Sequence, residues 1–268
     1  MLIEVNSLSK VYKTKLSLVK SENENKRAVD KVSFTIDNNE IIGLVGESGC
    51  GKSTISRLVM RLEKPTEGNV SYRGADIWSF KGADLNKFRK SCQIIFQDTL
   101  TSLNPNMKIV DTLKEPLNNH FKISEEEKIK KIEDIISFAN LNKGILSNYP
   151  ANLSGGERQR VNICRALLLE PEFLICDEII SSLDVYTQAI ILNMIKRLIS
   201  HNNMGVLFVS HDISAVKYLC SKIMVMYKGE IVEVIDNRNK QYKISHPYTK
   251  ELISSVPINN PNKRLAIV

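Results

Sequence analysis

Gly46-Glu-Ser-Gly-Cys-Gly-Lys-Ser-Thr54 fits the pattern G-x-x-x-x-G-K-[ST], with Gly46, Gly51, Lys52 and Ser53 in the specified places. The apolar run Ile41-Ile-Gly-Leu-Val45 ahead of it reads as a buried strand, and Ile55-Ser-Arg-Leu-Val-Met60 behind it as a helix. Strand, glycine-rich loop and helix in that order form a phosphate-binding loop. Glycines let successive N–H groups converge on an anion, and the helix start adds its positive dipole end. Lys52 is then placed to reach the terminal phosphates and the Ser53 hydroxyl to hold Mg²⁺. All of Gly46, Glu47, Ser48, Gly49, Cys50, Gly51, Lys52, Ser53 and Thr54 are assigned to the nucleotide.

Composition narrows the class of protein around that loop. A chain of 268 residues, 43% hydrophobic and 25% charged, suits one large domain or a core with a smaller subdomain. No apolar run approaches the roughly 18 residues that suggest a membrane span. The start Met1-Leu-Ile-Glu-Val-Asn6 lacks the pattern of a signal peptide, so a cytoplasmic location is expected. The net charge of +7 comes without a basic block or an aromatic-interleaved patch, and the lysines read as solvated surface, with no nucleic-acid partner. Cys50, Cys92, Cys164, Cys176 and Cys220 show no paired spacing, so reduced thiols are expected, with neither a disulfide framework nor a zinc site.

Strand and helix signals alternate along the chain, which predicts an α/β fold. Leu2–Val5 and Val32–Ile36 alternate like half-buried strands, with a polar loop around Ser21–Lys26 between them. Tyr12 is either a half-buried strand aromatic or a platform for a purine ring. Val70–Tyr72 and Ile94–Gln97 read as further strands. From about 98 to 153 the chain reads mostly helical, with a capping box at Ser124 and Glu127, and is expected to form a helical subdomain. A glycine pair at 155 and 156 precedes a helix expected from Val161 to Leu169. Phe173–Cys176 and Val206–Val209 are buried strands, and Ile223–Met226 with Glu230–Val234 form a hairpin about Lys228-Gly229.

In α/β folds ligands sit at the carboxyl ends of the strands. Gln97, Asp177-Glu178 and His211 occupy that position on three separate strands and are expected to converge on the phosphate loop. Asp177, with Ser53 and Gln97, is assigned to Mg²⁺. Glu178 is assigned to polarise the attacking water, and His211 to bond the γ-phosphate. Ser154-Gly155-Gly156, at another helix start, is a second anion site of the same physical kind. Either both sites serve one nucleotide, or the second serves the nucleotide of another subunit.

Leu153-Ser-Gly-Gly-Glu-Arg-Gln-Arg160 resembles the signature of the ATPase subunits of ABC transporters. Tyr12 matches that family's adenine-stacking position, Gln97 its Q-loop, Cys176-Asp-Glu178 its Walker B end, Ser181-Ser-Leu-Asp184 its D-loop and His211 its H-loop. The resemblance covers residues 1–235. It implies a P-loop NTPase fold with a RecA-like core, an antiparallel β subdomain and the helical subdomain at about 98–153. It also implies ATP and Mg²⁺ as cofactors, and two ATPases packed head to tail with each ATP between one phosphate loop and the opposite Ser154-Gly-Gly156, near Asp184. Ser182 and Ala151-Asn152 depart from the commoner family residues.

A narrower resemblance, carried by Phe96-Gln-Asp98, Thr101-Ser-Leu-Asn-Pro105, His246-Pro-Tyr-Thr249 and Ser255-Val-Pro257, points to the oligopeptide, dipeptide and nickel importers and makes 236–268 a C-terminal extension. No cysteine follows Cys220, so no iron–sulfur cluster is expected there. Two membrane permease subunits, and indirectly a solute-binding protein, are the implied partners, at the cytoplasmic face of the membrane. The expected function is ATP hydrolysis that energises peptide import; a nickel or metal-chelate importer, and more distantly a soluble ABC protein acting on nucleic acid or ribosomes, are the alternatives.

Overall fold

The structure is a computed structural model that describes residues 1–13, 25–97, 102–181, 183–238 and 244–254. The stretches Ser21–Glu24, Asp98–Thr101 and Ser255-Val-Pro257, and Ser182 of the D-loop, lie outside the described residues.

Among the described residues the strands form two sheets. The first is antiparallel, in the order β2 (Asn25–Ile36), β1 (Ile3–Lys13), β4 (Glu67–Tyr72) and β5 (Ala75–Asp76). The second runs β10 (Glu230–Asp236), β9 (Lys222–Tyr227), β3 (Ile41–Val45), β8 (Gly205–Val209), β7 (Phe173–Asp177), β6 (Cys92–Ile95). Within it β9, β3, β8, β7 and β6 are parallel, and only the edge strand β10 is antiparallel. Parallel pairing puts the carboxyl ends of β3, β6, β7 and β8 on one edge, where the site residues lie.

The continuous apolar runs have a direct cause: both faces of the second sheet are covered. Phe173, Ile175, Leu207 and Val209 pack toward the first sheet and α1 (Lys52–Val59), whose Ile55, Leu58 and Val59 are fully buried. The alternate residues Leu174, Cys176, Val206 and Phe208 face the opposite way, into a second core. That core is completed by α3 (Ile109–His120), α4 (Glu125–Phe138), α5 (Gly155–Leu167), α6 (Val185–Asn202) and α7 (Ile213–Leu219). The helix of the phosphate loop is thus clamped between two sheets.

Several expectations shift. The first two strands are far longer than read, because β1 and β2 form a bulged ribbon whose exposed half lacks clean alternation. Helix α2 (Gly82–Ser91), buried through Phe88, carries little apolar pattern and was not anticipated. Helix α5 begins at Gly155, not Val161: Ser154 is its N-cap, its side chain accepts the Glu157 N–H, and Glu157 accepts from the Ser154 N–H. This capping box overrides the helix-breaking tendency of two glycines. β6 ends at Ile95, so Gln97 lies two residues beyond its strand. The hairpin turn does sit at Lys228-Gly229, with φ of 48° and 92°, as a two-residue turn of the primed type requires.

All five cysteines are free and buried. Among the described residues, no helix is long and apolar enough to cross a membrane.

Candidate functional site

Between β3 and α1 the chain makes a concave loop that only glycine permits at its tightest points. Gly51, the N-cap of α1, has φ 115°, and a Cβ there would meet the Ala28 carbonyl at 2.1 Å. At Gly46 a Cβ would come within 2.2 Å of the Met226 carbonyl. No side chain caps α1 and no acid stands in its first turn, so its dipole end is open to an anion.

Lys52 is 6% exposed and folds back over the loop, its Nζ donating to the Gly46 carbonyl at 2.7 Å and the Glu47 carbonyl at 3.0 Å. The Ser53 hydroxyl donates to Asp177 Oδ1 at 3.2 Å. Asp177 is buried, and desolvation pushes its carboxyl above the usual range, against the lowering bond from Ser53. A hydroxyl and a buried carboxylate oxygen side by side are the hard donors a divalent cation takes, and a cation there would remove the cost of the buried charge.

Glu178 owes its direction to the backbone. Its φ of 54° is left-handed, a conformation that costs a glutamate of order 1–2 kcal/mol. With this bend the side chain turns toward the loop. The carboxylate lies 3.7 Å from Lys52 Nζ and 2.6 Å from His211 Nδ1. A carboxylate only accepts, so Nδ1 is the donor and the Nε2 of a neutral ring is an acceptor. His211 therefore donates to a phosphate only if it is doubly protonated or leaves Glu178.

Lys52, Ser53, Glu178 and His211 line one cleft of about 730 Å³ together with Tyr12, Lys13, Lys26, Ser48, Gly49, Gly51, Thr54 and Gln97. The Tyr12 hydroxyl donates to Glu63 Oε2 at 2.6 Å, an anchor that sequence reading missed. Gln97 Nε2 donates to the Ser181 hydroxyl at 3.2 Å. Gly46, Glu47 and Cys50 shape the loop from behind, and Asp177 lies under Ser53. Ser154, Gly155, Gly156 and Asp184 are not among the lining residues. Asp184 instead caps α6, accepting from the N–H and hydroxyl of Thr187.

The profile described as ABC transporter matches residues 29–181. The chain belongs to the ABC transporter family. It is 39% identical over 258 residues to the oligopeptide transport ATP-binding protein AppF of Bacillus subtilis, covering 96% of this chain and 78% of the relative. With the oligopeptide transport ATP-binding protein OppF of Streptococcus mutans it shares 41% over 261 residues, 97% of this chain and 83% of the relative. Among solved structures it resembles the dimeric structure of MJ0796, a bacterial ABC transporter cassette. There the TM-score is 0.78 and the identity 28%, over 88% of this chain and 99% of that one. The same cassette in a dimeric post-hydrolysis state bound to ADP and Pi superposes with a TM-score of 0.77. This ABC chain is an ATP-binding ATPase with the fold expected of such cassettes.

Proposed function

We propose that the chain is the ATP-hydrolysing subunit that energises import of oligo- or dipeptides through a separate membrane permease. The observation that carries the catalytic part is the convergence of Lys52, Ser53 over Asp177, Glu178, His211 and Gln97 on one cleft around an open helix start. ATP lies with its phosphates over the loop and its adenine against Tyr12. Lys52 leaves the Gly46 and Glu47 carbonyls for the terminal phosphates. Ser53, Asp177 and the Gln97 amide would hold Mg²⁺, which supplies charge neutralisation on the phosphates when bound. Glu178 takes the proton of the water that attacks the γ-phosphorus, His211 orients Glu178 through its Nδ1–H, and only the doubly protonated ring also donates to the transferred group.

The second anion site completes the nucleotide of another subunit, since Ser154-Gly-Gly156 and Asp184 do not line their own chain's cleft. The working unit is then a head-to-tail pair of ATPases, with a like or similar partner. Residues 1–235 form the ATPase domain with its helical subdomain at about 98–153, and 236–268 the extension. Two permease subunits dock beside Gln97 and the helical subdomain, holding the chain at the cytoplasmic face of the membrane. Support for that docking face comes from Phe96, exposed beside Gln97, and from a groove it shares with Ser102, Asn162 and Arg165. Asn162 is buried there, with neither amide atom partnered among the described residues.

The peptide substrate is supported by the names of the relatives reported above, which also leave the nickel, metal-chelate and nucleic-acid readings without support. Deleting the gene in its host and following uptake of a labelled oligopeptide tests the assignment. Loss of uptake, restored by the native gene and not by Glu178→Gln, is expected. Undiminished uptake with loss of nickel accumulation would overturn the peptide assignment.

A further inference from the structure

ATP binding and hydrolysis, as derived above, make no use of His246-Pro-Tyr-Thr249. In the structure this stretch opens α8 (Pro247–Ser254) and reaches the phosphate loop. The Tyr248 hydroxyl accepts the backbone N–H of Glu47, the second residue of the loop, at 2.9 Å across 201 residues of chain. We propose that Tyr248 is a positioning residue of the ATPase: through it the C-terminal helix braces the phosphate loop in its anion-receiving curve. The inference rests on the reading of that loop as the ATP site.

Three observations make the contact a built one. First, the ring cannot drift. Tyr248 is 7% exposed and lies on Tyr227 with centroids 4.3 Å apart and planes 32° from parallel. Second, the helix start is tied down: Glu233 Oε1 on β10 accepts the Ser245 N–H at 2.7 Å, its hydroxyl at 2.8 Å and the His246 N–H at 3.4 Å. Leu252 and Ile253 pack against the helical core. The same hairpin touches the loop again, where the Gly229 N–H donates to the Cys50 carbonyl at 3.1 Å. Third, Glu47 is gripped on both sides: its N–H donates to Tyr248, and its carbonyl accepts from Lys52 and from the Cys50 N–H at 3.3 Å. When Lys52 turns to the phosphates, its bond to the carbonyl is given up, while the Tyr248 and Cys50 contacts remain. A loop already held in shape loses less conformational freedom on binding, so the brace acts on affinity.

Tyr248→Phe keeps the ring and its stacking but removes the acceptor. In the full-length chain, exchange of the Glu47 amide without nucleotide should quicken by about tenfold while β3 amides keep their rates. The Kd for Mg-ATP, measured by calorimetry, should rise about 3- to 10-fold, the worth of one net hydrogen bond, and KM with it. Turnover at saturating ATP should stay within about twofold, because no reacting group has moved. Tyr248→Leu also removes the ring and should show the same Kd shift with a lower Tm. An unchanged Kd in Tyr248→Phe overturns the proposal, as does a shift seen only in Tyr248→Leu, which would reduce the tail to packing. A wild-type chain that binds no ATP would defeat the ATPase reading instead. The two failures are separable, because amide exchange at Glu47 needs no nucleotide.

Discussion

At the start of α1 the cap is Gly51, no side chain closes the helix end, and the first turn holds Lys52 and no acid. At the start of α5 the cap is Ser154, and Glu157 has closed the end with a reciprocal pair of bonds. Both starts are small and glycine-rich, and in sequence they read as anion sites of one kind. In the folded chain one is an open positive end inside a lined cleft, while the other is stable by itself and lies outside that cleft. Only the first needs an anion to be complete. The second offers the Gly155 and Gly156 N–H groups, which have no intrahelical acceptor, and this suits a surface that meets its ligand when a partner brings it.

Four variants bear on this contrast. The largest effect is expected from Glu178→Gln, which removes the charge beside the open site but not the donors that bind phosphate. Turnover should fall roughly 10²–10⁴-fold by phosphate release. ATP affinity should persist, and light scattering in Mg-ATP should show a dimer in which both starts share the nucleotide. Wild-type turnover in this variant would remove Glu178 from the chemistry. Next, Lys52→Ala should weaken ATP binding by about 10- to 100-fold in calorimetry, the scale of a lost charged hydrogen bond. If Ser154→Ala weakened binding to the isolated chain as much, the two starts would not differ as described.

Ser154→Ala is expected instead to leave the isolated chain's ATP affinity alone and to cost about 0.5–2 kcal/mol of stability by denaturant melting. Turnover in the dimer should drop as well. The capping contribution is also pH-dependent. The bonds from the Ser154 backbone and hydroxyl hold the Glu157 carboxyl below its usual range. Its stabilisation is therefore complete above the unfolded-chain value and disappears as pH falls through the folded one. The smallest effect on stability concerns Asp177, whose carboxyl burial raises. Its charge costs stability once pH exceeds the ordinary aspartate value, the full cost being reached above the folded value. Asp177→Asn should thus raise the Tm of the nucleotide-free chain near neutrality and lose that advantage in acid, while abolishing Mg²⁺-dependent turnover. An unchanged Tm at neutral pH would mean that no such cost exists.

Sequence made the second sheet legible because its strands are buried on both faces and written as unbroken apolar runs, as Phe173–Cys176 and Val206–Val209 show. The ends of those runs pointed to Asp177-Glu178 and His211. Reading failed where a local device overrides composition. The capping box of Ser154 and Glu157 starts a helix through two glycines, and the left-handed backbone that turns Glu178 toward Lys52 and His211 has no mark in the sequence. It also missed partners distant in the chain, such as Glu63 for Tyr12 and Tyr248 for Glu47, since no spacing rule links residues 51 or 201 apart.

The five buried cysteines give the chain an unused handle. Burial raises every one of these thiols, Cys164 to about 12, so at neutral pH the folded chain holds almost no thiolate at them. An alkylating reagent that is quiet toward the native molecule will mark all five sites once the cores open. The mass added per molecule then serves as a clock for unfolding. A single cysteine introduced on the surface, at Tyr186 for instance, which is 77% exposed, becomes the one fast-reacting position on an otherwise silent background.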